Sequence, residues 1–248
     1  VADLLPNRAQ TVKRGTNVTT PLGILLWGDA YRLSLCPELG SSTRAVLLIS
    51  MTLQYQFEDG DALSWSGTEK ANWVRDSTGA IKSVWNNKFR IKTPSGVPAS
   101  SYRDVGVQFD FKTYIDGYHI DDDYELGVKK IKPGTFRGSS CHYKLGNATL
   151  DSEDIVGTNK GGSMKQRGVV HEFGHMLGLR DEYADAHDNT HWTGDADSIM
   201  HSGELVRERH YVPFATWITE QFATAAHLAR SPIDYKVSGT WDKHNAKL

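Results

Sequence analysis

The segment His171-Glu172-Phe173-Gly174-His175 constrains this chain more than any other. On a helix, residues four apart share a face, so the imidazoles of His171 and His175 can meet one ion, with Glu172 one residue round. At this composition about 0.02 copies of H-E-x-x-H are expected by chance. Five of the ten histidines fall between 171 and 201, which also points to metal chemistry. Val169, Val170, Phe173 and Leu177 give the helix a buried face, and Gly178 can take the left-handed conformation that ends it. Asp181 follows six residues after the second His as the next candidate ligand. Helix geometry places both histidines on one side of the ion, so the third ligand must come from chain that turns back past Gly178. Asp181 lies within that reach, whereas His187 and His191 are alternatives at the end of a longer polar excursion. Zinc suits two His and one carboxylate, with Glu172 placed as general base toward a water.

The elements around this helix read as one α+β unit. Arg44 to Phe57 is apolar and then alternating, the pattern of a buried strand. Trp73, Val74, Ile81, Val84 and Trp85 predict an amphipathic helix over about 67–87. Alternation returns at Lys88–Thr93, Val105–Ile115 and Tyr118–Ile131, and Asp116-Gly117 between the last two predicts a hairpin. The Asp121-Asp122-Asp123 triplet reads as a solvated strand end in preference to a calcium contributor. Ser163 is the expected cap of the His171 helix, and a last helix is expected from Pro213. The first 45 residues are mixed, with turn signals at Pro21, Gly23, Gly28 and Pro37 to Gly40. No repeat or low-complexity linker divides the chain, so a single catalytic domain over 1–248 is expected, with an N-terminal lobe to about 178 and a C-terminal lobe from about 179.

A second motif, Ser198-Ile199-Met200-His201, places a methionine about 25 residues past the second His. With both motifs the chain resembles the metzincin metalloproteases, H-E-x-x-H-x-x-G-x-x-ligand followed by a Met-turn. The specific resemblance covers 171–203 and a looser one of element order about 45–229. It implies a twisted, mostly parallel or mixed sheet, an N-terminal helix, the active-site helix, and a small irregular C-terminal lobe ending in a helix. It also implies a Zn2+-dependent endopeptidase acting on peptide or protein, with Met200 as the floor of the site and an exposed edge strand among 118–145 to receive substrate. Asp181 in place of the usual third His resembles the small snapalysin-type proteases. Astacin- and serralysin-like enzymes carry Tyr two residues after the turn Met, where this chain has Ser202. Tyr211, preceded by His210, is the candidate substitute in contacting substrate or transition state. No glycine-rich calcium repeats follow, which argues against a serralysin proper.

Composition narrows the alternatives. With 28 basic against 30 acidic side chains and net charge −2, the chain lacks the footprint of a nucleic-acid binder. Its longest apolar run, Ala45 to Ile49, is far short of the roughly 20 residues that span a bilayer. Val1 opens no signal-like pattern, so a processed form or a fragment is expected, secreted or otherwise delivered outside the producing cell, a toxin or effector module included, and monomeric. Cys36 and Cys141 permit one bridge or two free thiols, and Cys36 as an inhibitory zinc thiolate has little local support. His119, His142, His227 and His244 read as ordinary polar residues. Two other functions compete with the protease: an idle binding module that keeps the fold, and a zinc hydrolase of non-peptide amides or cell-wall material.

Overall fold

The computed structural model describes residues 8–19, 25–38, 40–60, 63–92, 102–183, 192–225 and 236–238. Its organising element is strand β3 (Arg44–Glu58), built by the apolar run singled out above. Ala45, Leu47, Ile49, Met51, Leu53 and Tyr55 lie on one face and are almost completely buried. Strand β5 (Asp104–Ile115) runs parallel along one side of β3, from Arg44 to Tyr55. The other side is shared: β2 (Leu25–Pro37) pairs antiparallel with Ala45–Ser50, and β6 (Tyr124–Lys129) pairs parallel with Leu53–Glu58. The sheet extends through β8 (Asn147–Asp151), parallel to β6, to β7 (Ser140–His142), antiparallel to β8. Beyond β5 lie β4 (Arg90–Lys92) and β9 (Lys236–Ser238), and β1 (Arg8–Thr19) pairs with β2. The strands run in mixed orientation, and with three α-helices among the described residues this is a mixed α/β fold.

Helix α1 (Gly67–Trp85) begins with a capping box: the Ser66 hydroxyl accepts from Glu69 N–H, and the Glu69 carboxylate accepts from Ser66 N–H. It buries Trp73, Val74, Ala80, Ile81, Val84 and Trp85, as the spacing predicts. Helix α2 (Gly168–Met176) packs on α1 through Trp85, whose indole donates to the Val170 carbonyl at 3.1 Å and whose ring meets Phe173 edge-on. A 3-10 turn over Glu208–Tyr211 leads into α3 (Val212–Ala225), with Pro213 in its first turn. One hydrophobic cluster joins β3, α1 and α2 to Ile199, Met200, Tyr211, Phe214 and Ile218. No helix among the described residues is long and apolar enough to cross a membrane.

Several local expectations are corrected. The Asp116-Gly117 turn does not close a hairpin, because β5 and β6 both pair with β3, from opposite sides. Asp116 and Gly117 take positive φ (54° and 79°) and carry the chain across the end of β3. There Asp116 accepts from Phe57 N–H, and the Gln54 amide donates to the Asp116 carbonyl. A long central strand with two open main-chain edges captures the strands that a local turn would have paired. Residues 118–123 therefore belong to this crossing and not to a strand. The aspartate triplet is not solvated as a unit: Asp123 is buried and accepts from Thr52 N–H at 2.6 Å, while Asp121 pairs with Lys112. Gly28 lies inside β2, not at a turn. Ser163 does not cap α2, which starts after Arg167, and its N–H instead donates to Asp197. Gly168 is needed at that start because a Cβ there would overlap the Asp154 carboxylate. Pro21, Gly23 and Leu39 lie outside the described residues.

Candidate metal centre

Helix α2 presents His171, Glu172 and His175 toward a cleft of about 890 Å³. It ends in a Schellman turn: Gly178, at φ 89°, donates to the His175 carbonyl, and Leu179 N–H donates to the Gly174 carbonyl. That reversal swings Leu179 and Asp181 back over the helix end. Asp181 Oδ1 lies 3.2 Å from His171 Nε2 and 3.2 Å from His175 Nε2. The three residues form a group whose ligand atoms could hold one metal ion.

The tautomers follow from the hydrogen bonds. His171 Nδ1 lies 2.7 Å from the Ile199 carbonyl, and His175 Nδ1 lies 2.8 Å from the Leu179 carbonyl. A carbonyl only accepts, so each Nδ1 carries the hydrogen and each neutral ring turns the Nε2 lone pair toward Asp181. Three electron-rich atoms at such separations repel unless a proton or a cation lies among them. The protonation preferences show the same demand: burial pushes His175 down, but the Asp181 carboxylate outweighs it and raises it. Burial pushes Asp181 up, yet the two imidazoles facing it, when a proton sits on Nε2, hold it far below the usual carboxylate range.

Glu172 is 3% exposed, lines the same cleft, and its Oε2 has no hydrogen-bond partner. A buried carboxylate oxygen left unbonded is costly in a merely structural role. Met200 is fully buried, and a Cβ on Gly174 would overlap its sulfur, so glycine is what lets the turn seat against α2. The turn around Met200 is fastened by Glu182 N–H to the Met200 carbonyl at 2.8 Å, by Ile199 N–H to the Leu205 carbonyl, and by the Gln166 amide, which lies among the carbonyls of Ile199, His201 and Gly203.

His210 and Tyr211 stand elsewhere. Both are buried and neither lines the cleft, which corrects the expectation that they contact substrate. The Tyr211 hydroxyl donates to the Trp85 carbonyl at the end of α1. His210 meets Glu182 at 3.2 Å inside a buried charge network. There Arg209 binds both oxygens of Glu182 (2.7 and 2.6 Å) and one of Asp195, Arg207 holds Asp195 bidentately, and Trp192 covers the Arg209 guanidinium.

Sequence reading also missed Tyr183. Its hydroxyl donates to Asp181 Oδ2 at 2.8 Å, and it borders the cleft two residues beyond the third candidate ligand. His187, His191, His227 and His244 lie outside the described residues. His119 stacks on Tyr114 and His142 lies on β7; neither lines the cleft or belongs to the group that could hold a metal. Cys36 and Cys141 are free thiols, Cys141 at the cleft wall and Cys36 in β2. The expected edge strand in 118–145 corresponds to β7, the last strand on that side among the described residues, whose Ser140 and Cys141 line the cleft. No protein-family model matches this chain, and no curated protein matches it either.

Proposed function

We propose that the chain is a zinc-dependent endopeptidase of metzincin type. The observation that carries the reading is the convergence of His171 Nε2, His175 Nε2 and Asp181 Oδ1 beside the unbonded Oε2 of Glu172. The donor set fits the metal. Zinc binds His nitrogen and carboxylate oxygen at about 2.0–2.2 Å, which in a tetrahedron separates ligand atoms by roughly 3.3 Å. The two His–Asp separations of 3.2 Å match that. Two His and one carboxylate leave a fourth position open, as catalytic zinc sites do.

His171, His175 and Asp181 would hold the ion, which when bound polarises a carbonyl and makes a nearby water acidic. Glu172 accepts the proton of the attacking water and delivers it to the leaving amine nitrogen, one carboxylate serving first as base and then as acid. The edge of β7 supports a peptide rather than a compact substrate, because an extended chain can add to it by main-chain hydrogen bonds. The mixed sheet, the helix order and the Met-turn support the resemblance to the metzincins.

Glu172→Gln tests the mechanism. Expected is stoichiometric zinc by metal analysis together with a loss of casein cleavage of about 10²–10⁴-fold or more. A variant that digests casein at the wild-type rate would remove Glu172 from the mechanism. Wild-type protein that holds zinc and cleaves neither casein nor peptides would favour the binding-module reading.

A further inference from the structure

We propose that Tyr183 is a positioning residue that keeps Asp181 a one-oxygen ligand. This rests on the metal-site reading above and concerns the same centre. Asp181 divides its two oxygens: Oδ1 faces His171 and His175, and Oδ2 accepts the Tyr183 hydroxyl at 2.8 Å. The two histidines are held in the same manner, each by a main-chain carbonyl on its remote nitrogen. Each of the three ligands therefore has its non-coordinating atom occupied, and at Asp181 the partner is a side-chain hydroxyl.

The distinction matters because a carboxylate, unlike an imidazole, can offer a second donor atom to the same ion. Chelation through both oxygens would fill the position that a water or a substrate carbonyl needs. A phenol on Oδ2 withdraws that lone pair and fixes the plane of the carboxylate. The ring of Tyr183 is steadied by an edge-on contact with His201, 6.1 Å between centroids, so the hydroxyl is aimed by packing. Tyr183 is 38% exposed, so removal of its oxygen leaves the core untouched.

Cobalt(II) bound in place of zinc reports coordination number directly, since four-coordinate cobalt absorbs visible light several-fold more strongly than five- or six-coordinate cobalt. Apo wild-type and Tyr183→Phe proteins are titrated with cobalt(II) while visible absorption and affinity are followed. Expected is an intense four-coordinate spectrum for wild type. Tyr183→Phe should show a several-fold weaker band and a metal dissociation constant raised roughly tenfold, with an unchanged melting temperature for the metal-free protein. A variant matching wild type in spectrum and affinity overturns the proposal. Weaker affinity with an unaltered spectrum also overturns it, because the hydroxyl then supports the loop and not the ligand mode. Wild-type protein that binds no cobalt fails the metal-site reading itself, and this proposal with it.

Discussion

Gly174 and Met200 show at single-residue scale how helix α2 and the turn at 198–201 are matched. The sulfur of Met200 occupies the volume that any side chain at 174 would need, and the indole of Trp85 closes the same space. Gly174→Ala should therefore overpack a buried contact and cost about 1–3 kcal/mol. Met200→Leu nearly conserves volume and should cost about 1.5 kcal/mol or less while retaining bound metal, because none of the three ligand atoms belongs to Met200. Urea unfolding of the two variants, with metal analysis of the folded proteins, checks both values. A Met200→Leu protein that folds yet loses its metal would show that the sulfur does more than fill space.

At the scale of elements, the network of Glu182, Asp195, Arg207, Arg209 and His210 fastens the segment that bears Asp181 to the start of α3. Burial pushes the Glu182 carboxyl up, but Arg209 and His210 outweigh it and hold it well below its ordinary 4.5. With a folded pKa below the unfolded one, Glu182 contributes stability above about pH 4.5, lost as pH falls through the lower folded value. Arg209→Met leaves Glu182 buried without its principal cation, a loss of about 3–5 kcal/mol at pH 7. Protonation then relieves the stranded carboxylate, so the gap between variant and wild type should narrow from pH 7 to pH 5 in denaturant titrations. A gap that is constant with pH would mean that the packing of Arg209, and not its charge, is what the variant removes.

This network also marks where sequence was legible and where it was not. The helical spacing of Trp73 to Trp85, the alternation of β3 and β5, and the turn at Gly178 depend on neighbours in the chain, and each can be read locally. The crossing at Asp116-Gly117 depends on which partner wins the edge of β3, a contest between segments more than 50 residues apart. The burial of His210 against Glu182 and of Tyr211 against Trp85 has no local signature in the sequence. Alternation of Tyr31, Leu33 and Leu35 was present in β2, but nearby turn signals obscured it. At the centre, the spacing of His171, His175 and Asp181 suffices to bring the three together, whereas Tyr183 required knowing which way the second carboxylate oxygen points.

Over the whole molecule, the candidate metal site joins parts of the fold that the main chain connects only through the Gly178 turn. His171 and His175 belong to α2, which packs on α1 and the sheet. Asp181 leads into Glu182, and through it into the buried network and α3. An ion held by all three ligands binds the folded chain and not the unfolded one, so its affinity adds to global stability. At free zinc one hundred times the dissociation constant, the added stability is about 2.7 kcal/mol. For a chain of this size that corresponds to a melting temperature higher by roughly 5–10 °C than in chelator. Asp181→Ala should abolish that difference, because two histidines alone bind weakly. The imidazoles hold Asp181 ionised, so its loss also costs the metal-free protein some stability, and the zinc-dependent rise is therefore compared within each protein. Thermal unfolding of both proteins, each in zinc and in chelator, gives the four values. A zinc-dependent rise that persists in Asp181→Ala would place the third ligand elsewhere in the chain and leave Asp181 as the hydrogen-bond partner of two histidines.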